Sequence, residues 1–190
     1  MTMHFITRDL LEAETGAMLL TVDGNCVGLE GGIARSFAQR HPQIWQSVLK
    51  QVSFPIALGD TDAACITKDD GGQQLIILGA TLHHLLDLGR DQKQAVVRSV
   101  LTSALKRTAA AKISDLGVPI LSGGWRLSAV QAANSMSNAY FAALALSQHV
   151  PDLFVHVIQT ESRQELFDYF RSRSYLNVQA TDNGFTIHRS

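Results

Sequence analysis

Ala17 to Val22 reads AMLLTV, the cluster Asp23-Gly24-Asn25 follows it, and glycines at 28, 31 and 32 lead into Ile33-Ala34. A short, unbroken apolar run is what a strand buried on both faces requires. The Asp-Gly-Asn cluster ends such a strand. The spacing after Gly32 predicts a helix running towards His41. A buried strand, a glycine-rich turn and a helix in that order make up the repeating unit of a layered α/β domain.

Working outward, the same logic covers the chain. Phe5-Ile6-Thr7 predicts a short edge strand, with Arg8-Asp9-Leu10-Leu11 as a turn after it. Pro42 is placed to open a second helix through Lys50, with Trp45, Val48 and Leu49 inward. Asp62 to Thr67 and Gln74 to Ala80 predict a hairpin around Asp69-Asp70-Gly71-Gly72. Asp91 to Ala111 has the apolar spacing of a long helix, with Asp91 as its expected N-cap. Gly117 to Leu121 predicts a strand, Ser122 to Arg126 a tight glycine loop, and Ser128 the cap of a helix to Gln148. Leu153 to Gln159 predicts a strand, Arg163 to Arg173 a helix, and Tyr175 to His188 a terminal hairpin. Residues 1–190 therefore read as one α/β domain with a mixed sheet.

Composition narrows the function. The chain of 190 residues is 46% hydrophobic, 17% charged and 7% aromatic, with a formal net charge of −1. No basic surplus exists to neutralise a nucleic-acid backbone, which argues against nucleic acid as a partner. An anionic ligand would instead be held by backbone N–H groups. No apolar run approaches the roughly 20 residues needed to cross a membrane. Cys26 and Cys65 suit free thiols in a reducing compartment, and the chain reads as cytoplasmic.

Two strand-to-helix junctions carry the functional signal: Asp23 to Ala34 and Ser122 to Leu127. Glycines there let backbone approach a phosphate, and a helix N-terminus offers it free N–H groups. Neither junction is a P-loop or a GxGxxG fingerprint. Glycine pairs after strands are also common as plain tight turns.

Taken in order, Arg8-Asp9-Leu10-Leu11, Asp23-Gly24-Asn25, Gly31-Gly32-Ile33-Ala34 and Ser122-Gly123-Gly124 resemble the macro domain family over roughly Phe5 to Glu161. The resemblance implies a three-layer α/β/α sandwich with a mixed central sheet and a binding site for ADP-ribose or a related nucleotide. It implies that Asp9 meets the adenine amino group and that Leu10 offers a backbone N–H beside it. Gly31, Gly32, Ile33 and Ala34 would lie along the diphosphate and distal ribose. Ser122, Gly123, Gly124 and Trp125 would form the second phosphate loop. Asn25 would stand near the distal ribose, matching one of the family's asparagines without the sequence saying which. The chain departs from the family at Arg8, where glycine is usual, at Glu30, in place of a third glycine, and at Gly123, often threonine.

The resemblance leaves three functions open: nucleotide binding, removal of ADP-ribose from proteins or from a small derivative, and a scaffold acting through protein contacts. Asn25, Asp23 and Asp60 are the candidates for catalysis, and an ADP-ribosylated protein is a candidate partner. No cofactor and no metal is expected. His83-His84 would suggest a metal site, but adjacent histidines on a helix point about 100° apart and rarely share an ion. Asp60 and Asp62, which could bind a cation or ribose hydroxyls, read as solvated turn acids. His149 and His156 read as surface or core residues.

Overall fold

The computed structural model describes residues 1–25, 32–68, 71–83, 86–122 and 127–189. The strands are β1 (Met3–Ile6), β2 (Ala17–Asp23), β3 (Thr61–Thr67), β4 (Gln73–Leu82), β5 (Asp115–Pro119), β6 (Asp152–His156), β7 (Leu176–Thr181) and β8 (Gly184–Arg189). The helices are α1 (Gly32–Arg40), α2 (Pro42–Leu49), α3 (Arg90–Ala110), α4 (Ala129–Leu146) and α5 (Thr160–Arg171), with a 3-10 turn at Leu10–Glu12.

Among the described residues the strands form one mixed sheet, ordered β3-β4-β2-β5-β6-β1-β8-β7. β4, β2, β5, β6 and β1 run parallel. β3 pairs antiparallel with β4, and β8 antiparallel with both β1 and β7. Helices cover both faces. Met18, Leu20 and Val22 of β2 pack with Ala34 and Phe37 of α1 and Trp45 and Val48 of α2. Ala17 and Leu19, the alternate residues, pack on the other side with α3, α4 and α5. This is the expected three-layer α/β/α sandwich. It explains why AMLLTV lacks alternation, since each face meets a hydrophobic layer.

Several expectations hold. Pro42 opens α2. Ser128 caps α4, accepting from the Gln131 N–H at 3.2 Å, while Gln131 accepts from the Ser128 N–H at 3.1 Å. The terminal hairpin forms.

Others are corrected. β1 is not an edge strand: β8 pairs along its outer side, so β1 is interior and β7 is the edge. Asp91 is not the cap of α3. Gly89 precedes the helix, with its N–H held by Gln92 at 2.9 Å, and Asp91 lies in the first turn, where its charge suits the helix dipole. β5 starts earlier than the apolar run suggests, because Asp115 and Leu116 already pair with β6. Among the described residues no helix is long and apolar enough to cross a membrane.

Candidate functional site

The parallel strands deliver their carboxyl ends to one end of the sheet. Ligand sites of open α/β sheets form there. The turn at Arg8–Leu10 follows β1, Asp23-Gly24-Asn25 closes β2, α1 starts at Gly32, Ser122 follows β5, and Val157-Ile158 leaves β6.

The turn after β1 is tied down at several points. Asp9 caps the 3-10 turn, its Oδ1 accepting from the Leu11 N–H at 3.0 Å. Its Oδ2 accepts from Arg40 Nη1 at 2.7 Å, joining the turn to the last turn of α1. Burial opposes the charge on Asp9. The hydrogen bonds from Leu11 and Arg40, with the Arg40 charge, outweigh it and hold the carboxyl below its ordinary range. Leu10 is buried against β5, where an added Cβ on Gly117 would stand 2.9 Å from its Cδ1. His156, 4% exposed at the end of β6, sets Nδ1 3.1 Å from the Arg8 carbonyl. A carbonyl only accepts, so Nδ1 carries the proton and Nε2 the lone pair. Nε2 has no hydrogen-bond partner among the described residues. Burial lowers the pKa of this imidazole, against the opposing effects of the Arg8 carbonyl and the Asp9 charge. Arg163 donates to Thr7 Oγ1 at 3.1 Å, fixing α5 to the same turn.

The end of β2 is as tightly held. Gly24 donates to the Leu82 carbonyl and accepts from the Ile56 N–H, both at 2.9 Å. A Cβ on Gly24 would lie 2.1 Å from the Ile56 carbonyl oxygen, so only glycine fits. Asp23 is 1% exposed and accepts from the Asn25 N–H at 2.9 Å, leaving Asn25 exposed beyond it. α1 then opens with Gly32 exposed, Ile33 half-buried and Ala34 buried. Among the described residues, a Cβ on Gly32 would meet nothing within 4 Å.

No protein-family model matches the chain, and no curated protein matches it. Solved structures do. The Oceanobacillus iheyensis macrodomain solved with ADP superposes with a TM-score of 0.68 at 15% identity, covering 87% of this chain and 89% of that one. The chain has the macrodomain fold. The macrodomain of Thermus aquaticus DarG superposes with a TM-score of 0.59 at 20% identity, over 82% of this chain and 97% of that one. Thermosipho africanus DarTG in complex with ADP-ribose gives 0.62 at 15% identity, over 86% of this chain and 44% of that longer one.

Within this macrodomain fold the structure gathers Asp9, Leu10, Asn25, Gly32, Ile33, Ala34 and Ser122 at the carboxyl end of the parallel strands. Gly31, Gly123, Gly124 and Trp125, also expected at the site, lie outside the described residues, as do Glu30, Cys26 and His84. Asp60 is turned elsewhere. Its Oδ1 accepts from the Thr61 N–H at 2.7 Å and from Ser103 of α3 at 2.9 Å, on the face opposite α1. Those bonds, with the nearby Arg107 charge and against burial, lower its pKa. Among the described residues no cluster of three or more His, Cys, Asp or Glu side chains is arranged to hold a metal. Sequence reading missed Arg40 and the position of His156. No local pattern marks Arg40, which meets Asp9 across 31 residues of chain.

Proposed function

We propose that this chain binds ADP-ribose or a related ADP-ribose-type nucleotide at the carboxyl ends of β1, β2, β5 and β6. One observation carries the reading: turns far apart in sequence, at Asp9, Asn25, Gly32 and Ser122, converge at one end of a macrodomain-fold sheet. The chemistry at each fits its proposed part. The Asp9 carboxylate, ionised and fixed by its cap, accepts from a base amino group. The exposed start of α1 presents backbone N–H groups to the diphosphate. Ile158, 70% exposed where the chain leaves β6, offers an apolar surface to a base. Two structural neighbours support the ligand class, one solved with ADP and one in complex with ADP-ribose.

Recognition is favoured over hydrolysis. Of the three catalytic candidates, Asp23 is buried and already accepts from the Asn25 N–H, Asp60 faces α3, and Asn25, exposed at the site, carries an amide that is neither an acid nor a base. An ADP-ribosylated protein remains a partner of the same class, since its attached group presents the same base and diphosphate.

The test is calorimetric titration with ADP-ribose, against AMP, ADP and NAD as comparison ligands. Selective ADP-ribose binding that Gly32→Phe abolishes, with the melting temperature kept, supports the reading. An undiminished affinity in Gly32→Phe removes α1 from the site, and no binding by the wild type removes the function.

A further inference from the structure

α3, α4 and α5 lie side by side over one face of the sheet, with α4 in the middle. α3 packs on β3, β4 and β5, α5 packs on β7 and β8, and α4 touches both helices. Their outward sides differ in charge in a regular order. On α3, Arg98, Thr102 and Lys106 recur every fourth residue and so share one stripe. Thr102 and Lys106 border cavities on both flanks of α3, which sets this stripe on its outer crest. On α5, Glu161, Glu165 and Asp168 are exposed along one stripe, opposite the buried Leu166 and Phe170. Between them, α4 carries no charge: from Leu127 to Pro151 the chain has no Asp, Glu, Lys or Arg. Other charges on the flanking helices are turned away or stand at their ends. Arg107 reaches Thr61 and Asp62, Arg163 reaches Thr7, Asp91 lies in the first turn of α3 and Arg171 in the last turn of α5.

The uncharged strip is also where apolar surface is left uncovered. Leu146, in the last turn of α4, is 89% exposed, with Ala142 and Ala145 exposed beside it. At its foot a groove of about 300 Å³ runs between α3 and α4, lined by Leu105, Ala109, Ala139, Ala143 and Val150. A single exposed leucine is ordinary. A leucine standing at the lip of an apolar groove is a knob beside a hole. A surface with both fits a second copy of itself, because a two-fold axis between them exchanges knob and hole.

The charge order selects the same occupant. A two-fold axis parallel to α4 brings α4 against α4 and turns the basic crest of each α3 towards the acidic crest of the other copy's α5. An axis running across the helices would set α3 on α3 and α5 on α5, like charge on like. An uncharged centre with charges at the rim is the general anatomy of an interface. The extent is sufficient as well. α4 has 18 residues and is about 27 Å long. Three helices about 8–10 Å apart span roughly 25–30 Å across. Such a face reaches the roughly 800 Å² per partner of a standard stable interface.

We infer that the α3–α4–α5 face is the interface of a two-fold homodimer. Leu146 of each copy sits in the α3–α4 groove of the other, and the basic crest of α3 meets the acidic crest of α5. The proposed nucleotide site lies at the carboxyl ends of the strands, with α1 on the opposite face of the sheet, and stays open in both copies. The inference therefore stands independently of the nucleotide-binding reading.

The experiment is sedimentation velocity on the full chain over a concentration series, with a thermal melt as fold control. It compares wild type, Leu146→Glu, the pair Arg98→Glu with Lys106→Glu, and that pair combined with Glu165→Lys and Asp168→Lys. Wild type is expected to be dimeric by about 100 μM. Leu146→Glu, at an exposed position, is expected to keep the fold and weaken the dimer about tenfold or more, as loss of a buried anchor does. Reversing the α3 crest is expected to weaken it about tenfold, and reversing the α5 crest as well is expected to restore it. A wild type that stays monomeric at about 100 μM overturns the inference and leaves the face to a different protein. A dimer that Leu146→Glu leaves unchanged overturns it too. So does a weakened α3 reversal that the α5 reversal fails to rescue.

Discussion

His156 Nδ1 lies 3.1 Å from the carbonyl oxygen of Arg8, joining the end of β6 to the turn that carries Asp9. The imidazole is buried, and burial holds its pKa below the ordinary 6.5. The unfolded chain therefore binds a proton here at a higher pH than the folded one does. Stability from this group is present above pH 6.5 and is lost as pH falls from there through the lower folded pKa. His4, also lowered chiefly by burial, acts in the same window. A melting temperature that declines below pH 6.5, with a shallower decline in His156→Asn, is the expected result. A decline of the same slope in the variant assigns the effect to His4 alone.

Gly24 and Gly32 stand on either side of the first loop and should respond oppositely to a side chain. At Gly24 the added Cβ would meet backbone, at 2.1 Å from the Ile56 carbonyl oxygen. Overpacking of this kind costs about 1–3 kcal/mol or more, so Gly24→Ala should lower the denaturation midpoint substantially. At Gly32, the first residue of α1, no described residue would stand within 4 Å of the added Cβ, and Gly32→Ala should leave the fold intact, with less than the ~1 kcal/mol that the same change gains in a helix interior. Urea denaturation of both variants separates the two positions.

Tyr140 of α4 is fully buried, and its hydroxyl donates towards the carbonyls of Thr2 at 3.1 Å and Pro151 at 3.2 Å. It ties α4 to the amino ends of β1 and β6. Burial raises its pKa, so it remains a donor throughout the working range. Tyr140→Phe should cost about 1–3 kcal/mol by leaving buried carbonyls under-satisfied. Nucleotide affinity should not change, because the carbonyls lie at the opposite end of the sheet.

Arg107 of α3 reaches Thr61 with Nε on Oγ1 at 2.9 Å and Nη2 on the carbonyl oxygen, and lies 3.5 Å from Asp62. β3 is the outer strand of its side of the sheet, and beyond β4 it is fastened by this side chain together with Ser103, Ser53 and Gln51. Arg107→Ala should destabilise the chain by about 1–3 kcal/mol, through lost hydrogen bonds to a charged group. Hydrogen exchange should rise first along β3.

Much of the architecture is local in origin and was legible for that reason. The unbroken apolar runs of β2 and β4, the helical spacing of α3, Pro42 opening α2 and the Ser128–Gln131 cap are each set by neighbours within a few residues. The need for glycine at 24 is different in kind: the atoms that leave no room for a Cβ belong to Ile56, Ala80 and His83, far along the chain. The start of β5 was missed because pairing with the distant β6 extends it, whereas at α3 a local bond from the Gly89 N–H to Gln92 starts the helix before Asp91.

Sequence by itself determined which segments become strands and helices, because the hydrophobic period and the capping residues act within a turn or two of chain. Tertiary structure alone decided that β1 is interior, that Asp60 faces α3, that His156 holds the Arg8 carbonyl and that Arg40 completes Asp9. Each depends on residues far apart in sequence meeting through strand order and helix packing, and no periodicity along the chain encodes such a meeting.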